Sequence, residues 1–252
     1  MDPPTLRDDM VEGLRHESKG VLRSDRLALA MGEVDRHEFL DVDPSRAYLD
    51  RAFSHRGTTV LAPATVARLL EALSPSPDDE VLVVGAGVGY TAAVLAELVG
   101  ARRVHAVDIT RDVVYDARHN LARAGYEDVL VDCRDGAQGL PGYAPFDRVL
   151  VEAAAVGPPA ALVRQLAPGG RLVMPRGTVD QTLVAVEPTA NGGHEVAAEF
   201  GPAGFKPLLV EGEQHGAVER NRTAREDREF AEMGYFARKG WEYDWIDWDA
   251  QS

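Results

Sequence analysis

The decapeptide VLVVGAGVGY, Val81 to Tyr90, constrains the fold more than any other stretch of the chain. A short apolar run with no polar alternation is the signature of a parallel strand covered on both faces. It runs directly into Gly85-Ala86-Gly87-Val88-Gly89 and then into the helix-forming YTAAVLAELVG. Glycines at such a junction permit a tight turn and the close approach of a ligand to the backbone at the strand's carboxyl end. The segment therefore predicts a buried strand, a ligand-binding turn and a helix.

The same alternation repeats downstream. Strands are expected over 80–85, 103–108 and 128–133, within 146–155, and over 171–175, 181–187 and 194–200. Helices are expected over 62–74, 90–100, 111–125 and 159–170, several of them closed by glycine. Residues 5–54 read as helical and polar, with Leu14, Leu22 and Leu27 among their apolar contacts. Alternating β and α segments argue for a doubly wound, mostly parallel, Rossmann-like sheet with N-terminal helices in front of it. The last forty residues break the pattern, beginning charged and ending aromatic and acidic; Trp241, Trp245 and Trp248 lie there. Docking of this tail onto the domain is the expectation, since tryptophan is usually buried.

Composition removes several classes of function. The chain has 252 residues and 45% hydrophobic content, enough for one sizeable α/β domain. No run of about 18 apolar residues is present, which argues against a transmembrane helix. The polar N-terminal stretch does not read as a signal peptide, so a cytoplasmic location is expected. Cys133 is the single cysteine, so no internal disulfide or thiolate metal cluster can form, and it is expected to be passive near a strand end. The seven histidines lack ligand spacing, and no metal site is expected. A net charge of −14 disfavours general binding to a phosphate backbone. Of 27 basic residues only Lys19, Lys206 and Lys239 are lysine. An acidic, lysine-poor surface resembles halophilic proteins, whose carboxylate repulsion is screened by salt. An arginine-rich codon bias gives the same composition.

The glycine loop reads G-x-G-x-G with Tyr90 in the sixth position, where the dinucleotide fingerprint needs glycine or alanine. This disfavours an NAD dehydrogenase and favours S-adenosylmethionine. Asp108 closes the next strand, where a carboxylate can accept both hydroxyls of a ribose. Asp135 and Gly136 follow the third strand, where a carboxylate or backbone group can meet an adenine amino group. Taken singly, Asp108 is also explicable as a carboxylate near a helix N-cap, and Asp135 as a turn residue.

The order of segments resembles one family, the protein-L-isoaspartate (D-aspartate) O-methyltransferases. The likeness runs from about residue 9 to about residue 210 through LALAMGEVDRHEFL, GTTVLAP, the glycine loop and NLARAGYEDVLVDCRDG. Its most specific block is APFDRVLVEAAAVGPPAALVRQLAPGGRLVMPRG. The resemblance implies a seven-stranded methyltransferase domain over 1–212 and a C-terminal extension over 213–252. It implies methyl transfer from S-adenosylmethionine to the α-carboxylate of L-isoaspartyl or D-aspartyl residues in damaged proteins, leaving S-adenosylhomocysteine. A monomer is expected, with no membrane or nucleic-acid partner. Cofactor contacts would come from Gly85, Ala86, Gly87, Gly89, Tyr90, Asp108, Asp135, Gly136 and Glu152. Catalytic hydroxyls would come from Thr58 and Thr59, and acceptor contacts from Leu61, Ala62 and Pro63.

Three residues depart from the family pattern. Leu61 stands where the family carries a serine expected to touch the acceptor carboxylate, and leucine donates no hydrogen bond. Val83 replaces an acidic residue expected near the cofactor's amino group, and Glu152 replaces a threonine. Glu152 is read as taking over the lost acidic role, against the alternatives that it repels an acceptor carboxylate or points into solvent. A methyltransferase with another acceptor, and a non-catalytic domain that binds S-adenosylmethionine, remain open beside the repair reading.

Overall fold

The computed structural model describes residues 2–16 and 19–210. The expected C-terminal extension, 213–252, lies outside the described residues. Helix α1 (Pro3–Arg15), α2 (Asp25–Glu33), a 3-10 turn (Arg36–Phe39) and the short α3 (Pro44–Ala47) come first. They bear out the helical reading of the N-terminal region up to its end. There β1 (Phe53–His55) and β2 (Thr58–Val60) form an antiparallel hairpin, which takes Phe53 and Ser54 out of the region read as helical. Arg56 and Gly57 both have positive φ, 41° and 79°, as a tight hairpin turn requires. Helix α4 (Pro63–Leu73) follows directly.

The main sheet begins with β3 (Val81–Val84), followed by α5 (Tyr90–Val99), β4 (Val104–Asp108), α6 (Arg111–Arg123), β5 (Leu130–Cys133) and β6 (Phe146–Val151). Helix α7 (Ala160–Arg164), β7 (Leu166–Gly177), β8 (Gln181–Pro188) and β9 (His194–Ala203) complete it. The strand order is β5-β4-β3-β6-β7-β8-β9, parallel from β5 to β7 and antiparallel for the last two pairings. Strand β3 lies between β4 and β6, where the chain reverses its direction of winding. Its side chains alternate between two cores: Val81 and Val83 face one, Leu82 and Val84 the other. That double burial is why the strand reads as unbroken apolar sequence.

One expected helix is much shorter than its sequence suggested. Over 159–170 the helix ends at Arg164, and β7 is already paired at Leu166, opposite Phe146. Pro168 has no N–H for a helix interior and Gly169 has φ +78°. A Cβ on Gly170 would lie 2.9 Å from the Ala167 carbonyl and 3.1 Å from that of Phe146, so the strand backbones close up where a side chain would not fit. Gln165 joins the two elements. Its Oε1 accepts the Leu140 N–H at 2.8 Å and its Nε2 donates to the Gln138 carbonyl at 2.8 Å. Replacing it by leucine removes both bonds and leaves the Leu140 N–H without this acceptor in a buried place. Gln165→Leu should lower the unfolding free energy by about 1–3 kcal/mol, read from a shifted urea midpoint at constant slope.

Candidate functional site

Backbone pairing brings the carboxyl ends of four strands level. The N–H groups of Gly85 and Ala86 donate to the Val107 carbonyl at 2.8 and 2.9 Å, that of Glu152 to Val84 at 2.8 Å, and that of Arg134 to Asp108 at 3.0 Å. Gly85, Asp108, Asp135 and Glu152 therefore stand along one edge, at the point where the strand order reverses. This is the position at which open α/β sheets bind ligands.

Gly85, Gly87 and Gly89 have φ of +95°, +52° and +93°, all in the region that favours glycine. At Gly89 a Cβ would also press on α6, 3.0 Å from Leu121 Cγ. Asp108 is drawn toward the loop: its Oδ2 accepts the Gly87 N–H at 3.2 Å and its Oδ1 the Thr110 N–H at 3.0 Å. Burial nevertheless raises its pKa. Asp135 accepts the Ala137 N–H at 2.8 Å and so also performs the turn role. Gly136 packs so tightly on Val84 that a Cβ there would collide with the valine side chain.

Glu152 is the unusual member. Its Oε1 is buried and has no hydrogen-bond partner, which removes the reading that it points into solvent. It lies against Gly85, whose added Cβ would be 3.4 Å from Glu152 Cβ. Burial pushes its carboxyl up to about 7, the nearby Thr91 hydroxyl opposes that rise and the charge of Asp108 adds to it. Val83, where an acidic residue was expected, is 1% exposed and packed in the core. Glu152 follows the end of β6 and stands at this edge, while Val83 within β3 faces the core.

The hairpin is tied down on two sides. His55 Nε2 lies 2.7 Å from Asp116 of α6, and Arg56 pairs with the same carboxylate. On the other side Lys206 Nζ donates to the Gly57 carbonyl at 2.6 Å, and its own carbonyl accepts the Ala154 N–H at 2.8 Å. The tip accordingly reaches from α6 to the segment beside Glu152. Strand alternation places Thr58 and Thr59 on opposite faces of the hairpin. Thr58 shares its face with the buried Val60, and Thr59 shares the other with exposed Ser54. Leu61 packs its side chain against the core. Beyond Ala62 and Pro63, the N–H of Ala64 is taken by Asp50 Oδ1 at 2.9 Å.

Sequence reasoning missed Arg36. It is fully buried, its Nε donates to the Ala47 carbonyl at 2.8 Å and its Nη2 to the Leu61 carbonyl at 2.7 Å. The guanidinium carbon stands 4.7 Å from the centroid of the Tyr90 ring, and Phe39 meets the same ring edge-on. In the sequence it stands between Asp35 and His37 in EVDRHEFL and carries no signal of burial.

This fold, with its glycine turn and edge of carboxylates, defines a Rossmann-like, S-adenosylmethionine-dependent methyltransferase. The protein-family model described as protein-L-isoaspartate(D-aspartate) O-methyltransferase matches residues 6–208. The protein-L-isoaspartate O-methyltransferase of Aeropyrum pernix is 46% identical over 188 residues, 73% of this chain and 72% of its own. That of Methanopyrus kandleri is 44% identical over 211 residues, 81% of this chain and 92% of its own. A Plasmodium falciparum structure assigned to the same activity, solved with S-adenosyl-L-homocysteine, superimposes with a TM-score of 0.70 over 81% of this chain and 98% of its own, at 22% identity. The chain belongs to the protein-L-isoaspartate O-methyltransferase family.

The buried Glu152 carboxylate sets a pH dependence of stability in the protein without ligand. Its folded pKa of about 7 lies above the ordinary carboxylate value of 4.5, so the stability it contributes is complete below the unfolded pKa and is lost as pH rises through the folded one. Glu152→Gln should gain stability over the parent between these two values and hold a constant advantage above them, about 3 kcal/mol. Urea unfolding of both proteins across that range checks it.

Proposed function

We propose that this protein transfers the methyl group of S-adenosylmethionine to the α-carboxylate of L-isoaspartyl or D-aspartyl residues in damaged proteins. The observation that carries the cofactor half of this reading is Glu152. Its Oε1, buried against the glycine turn, has no partner among the described residues, and a ligand bearing an ammonium group would supply one. Gly85, Ala86, Gly87 and Gly89 leave the room for close backbone approach, with Tyr90 closing the turn. Asp108 would accept the ribose hydroxyls, and Asp135 with Gly136 would border the adenine. S-adenosylmethionine, when bound, supplies an electrophilic methyl group on a sulfonium and leaves as S-adenosylhomocysteine.

The acceptor is a carboxylate, already ionised at neutral pH, so no strong base is required. The protein's task is to orient that carboxylate and strip water from it. Thr59, on the hairpin face turned away from the core, fits this better than Thr58, which shares the face of buried Val60. Leu61, Ala62 and Pro63 would form the floor under the acceptor. The acidic, lysine-poor surface supports a salt-rich working environment inside the cell. A second reading, a methyltransferase with a different acceptor, draws on Leu61, whose side chain offers no hydrogen bond at the position the family fills with serine.

The deciding experiment is transfer of labelled methyl to an isoaspartyl peptide in molar KCl, with the matching aspartyl peptide as control. Base-labile label confined to the isoaspartyl peptide is expected; its absence, with cofactor binding intact, would favour the second reading. Thr59→Val should lower kcat/KM by roughly tenfold to a hundredfold, the loss of one hydrogen bond to a charged group, and Thr58→Val should cost less. Affinity for S-adenosylmethionine should weaken by about tenfold for each pH unit below 7 as Glu152 becomes protonated, and this slope should vanish in Glu152→Gln. Calorimetric titration across that range measures it.

A further inference from the structure

Arg36 is a costly residue to bury. Taking a guanidinium out of water carries a penalty of several kcal/mol before any compensation, and apolar replacements of similar volume are often no less stable. Here its Nη1 is buried without a partner, so the compensation is incomplete. What the charge contributes is direction. Its Nη2 bond holds the Leu61 carbonyl inward at 2.7 Å, while its Nε holds the end of α3 through Ala47 and its face rests on Tyr90, the first residue of α5. One side chain therefore fixes the acceptor loop relative to the cofactor turn.

The consequence lies in the next peptide bond. In a trans peptide the carbonyl of one residue and the N–H of the next point in opposite directions. With the Leu61 carbonyl turned to Arg36, the N–H of Ala62 is turned away from it. Ala62 is half-buried and is the N-cap of the eleven-residue α4. Pro63 has no N–H, and that of Ala64 is already bonded to Asp50. The charge of Asp50 is met by Lys19 at 2.6 Å. The Ala62 N–H thus points away from Arg36 at the start of this helix, where the dipole favours an anion.

We propose that Arg36 is a positioning residue which aims the Ala62 N–H at the acceptor carboxylate, so that a backbone donor stands in for the side-chain hydroxyl that Leu61 lacks. This inference rests on the repair reading above. It explains how the loop keeps a donor while position 61 is given over to core packing.

The sharpest test removes the one hydrogen. Ala62 has φ −63° and ψ 147°, which proline adopts without strain even ahead of Pro63. Ala62→Pro should bind S-adenosylmethionine as the parent does and should lower kcat/KM for an isoaspartyl peptide at least about tenfold. Leu61→Ser added to Ala62→Pro should restore part of that loss, a rescue that a merely structural role for the loop would not produce. Arg36→Met provides the independent variant: it takes the donor from the Ala47 and Leu61 carbonyls and so lowers the urea midpoint, while in the folded protein cofactor affinity is retained and peptide turnover falls, with Arg36→Lys intermediate. Turnover unchanged in Ala62→Pro would overturn the inference and leave the repair reading standing. A parent that methylates no isoaspartyl peptide would overturn the repair reading and this inference with it.

Discussion

The pairing of β3 with β4 on one side and β6 on the other is the constraint from which the site follows. Val84 lies opposite both Val107 and Val151. That single register brings Gly85, Asp108 and Glu152 level at the carboxyl edge, although dozens of residues separate them in the chain. The alternation of Val81, Leu82, Val83 and Val84 between two cores then locks the register, because a slip by one residue would exchange the faces of every buried side chain. The turn after β3 inherits its position from this strand, and its glycines accept the backbone angles that the position demands.

The edge is built against the stability of the empty protein. Two carboxylates, Glu152 and Asp108, lie in one buried region, each raised by loss of water, and the charge of Asp108 bears on Glu152. Like charges in such surroundings are unfavourable, and nothing among the described residues offsets Oε1 of Glu152. Strain of this kind is worth keeping only where a ligand relieves it. The cationic half of S-adenosylmethionine is the sort of group that would do so, and on the proposed reading it would couple affinity to the protonation of one side chain.

The core strand and the glycine turn were legible in the sequence because both are local. VLVV announces burial on two faces, and three glycines in five residues announce positive φ. The order of β and α segments carried the remainder of the sheet. What escaped depends on contacts between distant residues. The truncated α7 has a helical pattern in its sequence, and tertiary pairing of Leu166 with Phe146 overrode it. Whether Glu152 faced solvent or the turn depended on β6 lying beside β3. The hairpin at 53–60 is too short to show a clear period, so the opposite facing of Thr58 and Thr59 was hidden until Val60 was seen in the core. Arg36 was hidden most thoroughly, since a buried arginine next to an acidic neighbour reads as surface.

The loss of a serine at position 61 looks grave only while the loop is read as a row of side chains. A hydroxyl can be lost by one substitution, whereas a backbone N–H is lost only to proline. An enzyme that orients a carboxylate through the backbone is free to use the adjacent side chain for packing, provided the peptide plane is held. Leu61 does pack on the core, and its carbonyl is held by Arg36. The apolar residue and the buried cation are then two parts of one arrangement. The leucine anchors the loop from one side, and the arginine sets the rotation of the peptide from the other. Tyr90 beneath the guanidinium ties that rotation to the turn on which the methyl donor is expected to sit.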